Sequence, residues 1–347
     1  MKRREFLKAS AAGIAGSVVG GSGLLTWIPR AHAATISRTL YITDGFVTQA
    51  DGVNIYCRGF SASASGLAVP GQSVIVQEGD TVRITIVNTL GTSHRFVIDG
   101  MVDSGTLRGG EIRTVQFTAR NPGSYLYYDT LNAPYNRVAG LHGGFAVMPW
   151  GSSDELYAGS PTFRQQYFWV FNQIDPAWNS ALRNGRTPST EFKPRYFTLN
   201  GLNGRPPGAP GNMDPAVDSM ADPRSAVHGY LGQRALIRCL NAGLAKHAIH
   251  THGNHMEWLT KNRQVRPDVW EKDIVPLDAN GGGVDVIFPF EPPPDAWPPV
   301  TNSSLLQAQN QGLHVAYPMH LHDEMTQTAG GGLYMFGSMT DIYYHGH

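Results

Sequence analysis

The stretch EGDTVRITIVNTLGTSHRFVIDG, residues 78–100, has a counterpart in LGQRALIRCLNAGLAKHAIHTHG, residues 231–253. The two stretches align without a gap at a constant offset of 153 residues, which places His94 opposite His247. Within residues 81–88, apolar and polar side chains alternate, and this is the period of a half-buried β-strand. Two copies of one β-unit are therefore predicted.

A second pair of segments extends the repeat. GSYLYYDT, starting at Gly123, lies over VAYPMHLH, starting at Val315, at an offset of 192 residues. The larger offset predicts longer connections in the second copy, and the proline-rich residues 288–312 are the expected lengthened loop because proline is excluded from central strands. A further insertion is expected at residues 203–223. Such loops are predicted to cover a site or an interface.

Composition favours an all-β fold. The chain of 347 residues contains 40 glycines and 23 prolines, which suit short strands joined by many turns. We predict a first β-sandwich domain at residues 35–150 and a second at residues 160–347. Residues 1–33 are set apart as an export signal.

The export prediction depends on the order of three features. The pair Arg3-Arg4 precedes a weakly apolar run that ends at AHA, residues 31–33, and cleavage is expected after Ala33. The pair resembles a twin-arginine signal, with Lys2 where serine or threonine is usual, and implies export of a folded protein to the periplasm or the medium. An uncleaved anchor is the alternative.

Charge and cysteine usage exclude several classes of function. The chain has 27 basic and 27 acidic residues; without residues 1–33, which hold five basic residues and one acidic residue, 22 and 26 remain, a formal charge of −4. This balance predicts no nucleic-acid partner. Cys57 and Cys239 allow at most one disulfide and form no zinc motif. No G-x-S-x-G or G-x-G-x-x-G motif supports a hydrolase or a dinucleotide fold.

Two His-x-His pairs are the main candidate site. His250 and His252 are two residues apart, as are His320 and His322, so each pair points to one side of a strand. If the two segments lie side by side, four imidazoles converge, and such a set suits copper or zinc better than calcium or magnesium. His247 is a fifth candidate ligand.

Other residues are candidates to extend or support this site. His255 extends the cluster, and Asp323 or Glu324 is a candidate to orient the ring nitrogens. A retained but empty site and an unrelated structural role are the alternatives to metal binding. The terminal His345 and His347 are expected to form a frayed or solvated end.

The pattern H-x-x-H-x-H-G in HAIHTHG, with YPMHLH near the C-terminus and EGDTVRITIVN in the first copy, resembles the multicopper oxidase family. The resemblance implies two cupredoxin-like Greek-key β-sandwich domains. In that family, His-x-His pairs from two domains hold three coppers that reduce dioxygen, and a separate blue copper is bound by a cysteine between two histidines. Two-domain members assemble as trimers with the cluster between subunits.

Matching the residues to the family pattern reveals departures. His247 matches a blue-copper ligand, and the two His-x-His pairs match three-copper ligands. Leu321 stands where the family has its cysteine and Thr326 where a later blue-copper histidine is expected. Since leucine supplies no thiolate, no blue copper site is expected.

The first copy lacks more ligands. Residues 97–100 replace the H-W-H-G motif, and residues 128–130 replace the second His-x-His pair. Asp99 and Tyr128 can offer oxygen to a metal across an interface, but Asp99 is preferred as a turn residue. His94 is expected to be structural.

Two functions follow from the resemblance and its departures. One is an exported protein that binds copper, or another transition metal, with reduced oxidoreductase activity; ordinary laccase activity is not expected. It implies a metal-ion partner and a homo-oligomer such as a trimer. The alternative is a non-catalytic cupredoxin scaffold in the cell envelope, which implies an envelope protein partner.

Overall fold

The computed structural model describes residues 23–25, 27–203 and 219–347. Most of the predicted export signal, and most of the insertion expected at 203–223, lie outside the described residues. The described chain is mainly β-strand, so the all-β prediction is confirmed.

Ten strands precede residue 150 in the described part of the chain. They are β1 Leu24–Leu25, β2 Thr35–Thr48, β3 Asn54–Ser61, β4 Gly71–Gln77, β5 Thr81–Asn88, β6 His94–Ile98, β7 Val102–Leu107, β8 Ile112–Thr118, β9 Gly123–Tyr128 and β10 His142–Met148. One sheet has the order β3-β2-β5-β8 and another has the order β4-β10-β9-β6-β7. Ile84, Phe96 and Phe145 are fully or almost fully buried in the core that these strands share.

Among the described residues after 150 there are thirteen further strands. They are β11 Gln165–Ile174, β12 Tyr196–Leu199, β13 Val227–Tyr230, β14 Arg234–Asn241, β15 His247–Thr251, β16 Met256–Lys261, β17 Gln264–Lys272, β18 Ile274–Leu277, β19 Gly283–Pro289, β20 Val315–Leu321, β21 Thr328–Ala329, β22 Leu333–Tyr334 and β23 Met339–His345. One sheet has the order β17-β16-β19-β14-β11-β12-β21-β22, with β1 added beside β11. The other sheet has the order β13-β23-β20-β15-β18, and the core between the two includes Trp169, Ile249 and Met319.

Helices are short in the described part of the chain. The α-helices are α1 Tyr135–Val138, α2 Pro176–Arg183 and α3 Asn302–Asn310, and the 3₁₀ helices are Ser219–Ala221 and Glu324–Gln327. None of the helices among the described residues is long and apolar enough to cross a membrane. Helix α3 lies inside the segment 288–312 that was expected to be a loop, and a reciprocal capping box between Thr301 and Ser304 begins it. A small polar cap after the prolines is what allows this helix to start.

The repeat is visible in the strand boundaries. Strands β5 and β14 start and end 153 residues apart, as do β6 and β15. Strands β8 and β19 begin at Ile112 and Gly283, an offset of 171, while β9 and β20 differ by 192 at their starts. The extra length of the second copy is therefore divided between two places: strands β17 and β18, and the segment that carries α3. Of these two, the sequence predicted only the lengthening at residues 288–312.

The two sandwiches share a buried interface. Leu126 and Ala146 of the first half belong to one apolar cluster with Phe168 and Leu236 of the second. Gly144 lies so close to Phe168 that an added Cβ would sit 3.1 Å from its ring atoms. This packing fixes β11 and β14 of the second half relative to β9 and β10 of the first.

Residues 23–33 are attached to the same body. Leu24 pairs with Tyr167, so β1 extends the sheet at β11. The Arg30 guanidinium forms an ion pair with the buried carboxylate of Asp80, which also accepts a hydrogen bond of 2.9 Å from the Ala34 amide. The segment before the expected cleavage point thus contributes contacts to the fold.

Candidate metal centre

Strand pairing brings the two His-x-His segments together. Strands β15 and β20 are antiparallel neighbours, with His250 directly opposite His320 and Ile249 opposite Leu321. Side chains alternate along β15, so Ile249 is buried in the core while His250 points to the other face. The four residues His250, His252, His320 and His322, called the histidine cluster below, lie on this outer face.

The rings of the histidine cluster are close enough to share an ion. One ring nitrogen each from His250, His252 and His320 lies within 4.8 Å of the other two. The ring centroid of His250 is 5.1 Å from that of His320 and 5.2 Å from that of His322. Three imidazoles thus converge. The fourth, that of His322, is next to the ring of His250 but is not among the converging donors.

Backbone carbonyl groups orient two of these rings. Nδ1 of His250 lies 3.1 Å from the carbonyl oxygen of Asp273, and Nδ1 of His320 lies 3.0 Å from the carbonyl oxygen of Leu321. A carbonyl only accepts, so each Nδ1 carries the proton and each Nε2 keeps its lone pair. Nε2 of His320 lies 3.2 Å from Nε2 of His252, which donates the hydrogen bond between them. His250 and His320 are therefore in the tautomer with a free Nε2 lone pair, which is the tautomer that a metal ligand needs.

Local electrostatics favour neutral imidazoles. Partial burial, followed by the neighbouring histidines of the cluster, lowers the pKa of His252. Burial also lowers the pKa of His250, against the opposing hydrogen bond to the Asp273 carbonyl. The Asp273 carboxylate lies 3.7 Å from His250 Nδ1 and is half exposed. Neutral imidazole is the form that binds a transition ion.

His247 lies on β15 but on the opposite face from His250. It is buried, and its Nε2 is hydrogen-bonded to the side-chain amide of Gln173. Its Nδ1 is buried without a hydrogen-bond partner, and burial lowers its pKa to about 4. The structure therefore places His247 apart from the donor atoms of the cluster.

The surroundings of His247 do not fit a blue copper ion. Leu321 is fully buried in the core, and the Thr326 hydroxyl donates to the Asp323 carbonyl at 2.6 Å. Cys239 lies buried within β14, and burial raises its thiol pKa well above the ordinary value. A soft thiolate ligand is thus missing among these residues.

The first sandwich has a buried polar network at the position equivalent to His247. Nδ1 of His94 lies 2.6 Å from the Asp129 carboxylate, and its Nε2 lies 2.8 Å from the Thr92 hydroxyl. Asn136 donates a further hydrogen bond of 3.0 Å to Asp129. The ring of His94 is satisfied by these partners, in agreement with its expected structural role.

Asp99 and Tyr128 form a pair on the first sandwich. Asp99 lies in the turn after β6, as preferred from the sequence, and Gly100 follows at φ +76°. The Tyr128 hydroxyl donates to the Asp99 carboxylate at 3.1 Å. Ligation of a metal by this pair stays a prediction.

Sequence reasoning missed three partners of the histidines. Asp273, Gln173 and Asp129 contact His250, His247 and His94. Asp323 and Glu324, the expected orienting residues, lie at the start of a 3₁₀ helix, and the described Nδ1 bonds of the cluster go to backbone carbonyls instead. His255 is exposed and is not among the converging donors.

Comparisons with known proteins agree with this architecture. Residues 64–151 match the family model of the multicopper oxidases. Solved structures with the same fold include a multicopper oxidase, mgLAC (TM-score 0.66, 20% identity, covering 90% of this chain and 86% of that one), and the blue copper oxidase of Nitrosomonas europaea (TM-score 0.67, 18% identity, covering 89% and 86%). The described chain therefore has the cupredoxin fold of these multicopper oxidases.

Copper nitrite reductases share this cupredoxin fold. The enzyme of Nitrosomonas europaea superimposes with a TM-score of 0.62 at 18% identity, covering 89% of this chain and 94% of that one. The copper-containing nitrite reductase of Alcaligenes xylosoxydans xylosoxydans is 27% identical over 113 residues. That match spans 30% of this chain and 33% of the relative, about a third of its length.

Proposed function

We propose that this protein binds copper, or a similar transition metal, through the histidine cluster and has at most a reduced oxidoreductase activity. The observation that carries the proposal is the convergence of ring nitrogens from His250, His252 and His320 within 4.8 Å. Neutral imidazoles without a thiolate suit copper or zinc. Of copper and zinc, we favour copper because the structurally similar proteins include copper oxidases and copper nitrite reductases.

Each residue of the cluster has a definable task. Nε2 of His250 and of His320 is available as a ligand because the backbone holds the Nδ1 proton. His252 would be the third ligand in place of its hydrogen bond to His320, and His322, whose ring centroid is 5.2 Å from that of His250, is the candidate for a fourth. Copper held there would supply one-electron redox chemistry to small molecules that reach the exposed side of His252.

The residues around His247 limit the activity that we propose. In the family, electrons enter through a blue copper site, and here Leu321 and Thr326 occupy two of its ligand positions. Without that entry route, four-electron reduction of dioxygen by this chain alone is not expected. Direct oxidation of a small reductant, or copper storage, is the activity that the cluster supports.

Export and assembly complete the proposal. Arg3-Arg4 and the AHA at residues 31–33 support twin-arginine export to the periplasm or the medium. Association into a homo-oligomer such as a trimer would cover the exposed rings of His252 and His322. An identical neighbour would then present the Asp99–Tyr128 pair rather than histidines. Sedimentation velocity of the purified protein measures this association.

A non-catalytic scaffold in the cell envelope is the second candidate. It is favoured by the ligand-poor first sandwich, where the His94–Asp129–Asn136 network fills the position equivalent to His247 with hydrogen bonds. A scaffold has no use for three convergent imidazoles, so metal content separates the two functions. Capture of an envelope protein by the metal-free protein would support the scaffold.

The test is metal analysis of purified protein with absorption and electron paramagnetic resonance spectra. We expect bound copper without an intense blue thiolate band, and loss of that copper in a His250→Ala/His320→Ala double variant. His255→Ala is the matched control, because it removes an exposed neighbouring imidazole outside the donor set. Unchanged copper in the double variant, or an intense blue band in the wild type, would overturn the proposal.

A further inference from the structure

We propose a second transition-metal site, separate from the histidine cluster, on the outer face of strands β13, β23 and β20. Its ligands are His228, His314 and His345, called the second histidine patch below. It would take a divalent ion of the copper or zinc type, because its donors are imidazoles.

Strand register places the three residues on one face. His228 is paired with Tyr343 in the parallel ladder of β13 and β23, and His345 lies two residues further along β23 on the same side. Val315 is opposite Tyr344 in the antiparallel ladder of β20 and β23, so His314 continues that register opposite His345. Opposite residues have Cβ atoms about 5 Å apart, within reach of shared ligation.

The rings of His228 and His345 already have the spacing of two ligands. Nδ1 of His228 lies 3.0 Å from Nε2 of His345. Two nitrogens bound at about 2.0–2.1 Å to one tetrahedral ion are about 3.3 Å apart. The two nitrogens thus already lie within about 0.3 Å of this spacing, and binding an ion in place of the shared proton requires the two nearly parallel rings to turn so that both lone pairs point at it.

Neighbouring groups hold these two rings in place. The ring of Tyr343 stacks on His228 with centroids 4.8 Å apart, and the side-chain amide of Gln309 in α3 lies 3.0 Å from Nδ1 of His345. The Tyr167 hydroxyl donates to the backbone carbonyl of His228 at 3.0 Å. His314 is exposed and lies edge-on to Tyr343 at 6.0 Å. Its ring nitrogens do not converge with those of His228 and His345 among the described residues, so it has to turn toward the pair to complete the site.

The structure corrects the expectation for the end of the chain. The sequence predicted that His345 belongs to a frayed or solvated end, but the structure includes it in β23, paired with Tyr230. The hydrogen bond that Gln309 makes to His345 puts α3, within the lengthened segment 288–312, beside the second histidine patch. Lengthened loops were expected to cover a site.

The second patch is independent of the histidine cluster. His320 is opposite Met339 at one end of β23, and His345 is at the other end, six residues away. At about 3.3 Å per residue the two sites are about 20 Å apart. Variants at one site are thus expected to leave the other intact.

Metal loading with copper(II) tests the inference. After removal of metal with a chelator, the full chain is titrated with copper(II) chloride, and bound metal is counted by mass spectrometry. We expect a second equivalent in the wild type that is lost in His228→Gln/His345→Gln and retained in the His255→Gln control. The exposed His314→Gln change, which cannot disturb the core, should weaken that equivalent by about tenfold or more, since even indirect ligand contacts contribute as much. Pulsed electron paramagnetic resonance of the loaded wild type should give a copper–copper distance of about 20 Å.

Each outcome separates this inference from the proposed function. Binding of one equivalent that disappears only in His250→Ala/His320→Ala overturns the second site and supports the cluster. Binding of one equivalent that disappears only in His228→Gln/His345→Gln does the reverse. Two equivalents that both survive in His228→Gln/His345→Gln also overturn the second site. Thermal unfolding of each variant shows whether a loss of metal reflects a loss of fold.

Discussion

His250 and His320 lie directly opposite each other on two antiparallel strands, and a backbone carbonyl fixes the tautomer of each. The donors of the cluster are therefore set by strand register and main-chain hydrogen bonds. A slip of one residue would turn both rings to the other face of the sheet. Preorganisation of this kind lowers the entropy cost of binding an ion.

Restoring the missing ligands at positions 321 and 326 tests whether His247 occupies the position of a blue-copper ligand. We expect the Leu321→Cys/Thr326→His double variant, loaded with copper, to gain the intense visible absorption of a copper–thiolate bond, because His247 has a buried Nδ1 without a partner. The absorption spectrum is the measurement. Thr326→His alone is the control, since it adds an imidazole without sulfur. A double variant that folds and binds copper at the histidine cluster but lacks the intense thiolate band would show that His247 and the side chains introduced at positions 321 and 326 do not form a common copper site.

Gln173 is expected to be a stability determinant of the second sandwich. Its side-chain oxygen accepts from the backbone amides of Leu244 and Ala245, and its amide contacts His247. Gln173→Leu leaves these buried groups unpaired and should lower the free energy of unfolding by about 2–3 kcal/mol.

Urea denaturation measures the effect of Gln173→Leu, and Gln264→Leu on the exposed edge strand β17 is the control. The control should change the free energy of unfolding by less than about 0.5 kcal/mol. An equal loss in both variants would mean that the contacts of Gln173 are not what stabilises the fold.

Those parts of the fold and site that depend on local pattern were predictable from the sequence. The sequence repeat located two pairs of equivalent strands, β5 with β14 and β6 with β15. The His-x-His spacing predicted that the imidazole rings of each pair lie on one face of a strand. The acceptors of the ring protons were not predictable, because the carbonyl of Asp273 has no residue-type signature and comes from strand pairing. Position in space, not sequence, supplies such partners.

Longer-range partners were missed for the same reason. Asp129 follows the apolar strand β9, where a buried carboxylate signals a hidden partner, but only the fold shows that the partner is His94. His345 at the end of the chain carried no periodic pattern, and its place in β23 depends on pairing with β13 and β20. Short motifs are reliable for residues near in sequence, and tertiary pairing decides the rest.

The buried His142 predicts a pH dependence of stability. Burial lowers its pKa from 6.5 to about 4, while its Nδ1 donates to the carbonyl of Arg137 at 2.8 Å. The unfolded chain then binds more protons than the folded chain between these two values, so stability falls as pH decreases from about 6.5 to 4. Its share of that loss is about 3 kcal/mol at most.

A comparison with His142→Gln isolates this contribution. The free energy of unfolding of the variant should fall less steeply with acidification than that of the wild type, because glutamine does not titrate. Above pH 7 the difference between the two proteins should be constant. Parallel pH profiles down to pH 4 would contradict a neutral, buried His142.

Arg30 predicts what cleavage after Ala33 does to the fold. Its guanidinium pairs with Asp80, whose side chain is fully buried, and its amide donates to the side chain of Gln77 at 2.9 Å. Arg30→Gln leaves the Asp80 carboxylate with backbone donors only and should destabilise the protein by about 3 kcal/mol, at the low end for loss of one partner from a buried pair. A chain that begins at Ala34 loses this pair and also β1, so its melting temperature should fall further. Arg83→Gln, a change at an exposed position of the nearby strand β5, is the control for loss of one positive charge. If the chain beginning at Ala34 melts at the same temperature as one beginning at Gly23, the contacts of residues 23–33 contribute nothing to stability and cleavage after Ala33 has no structural cost.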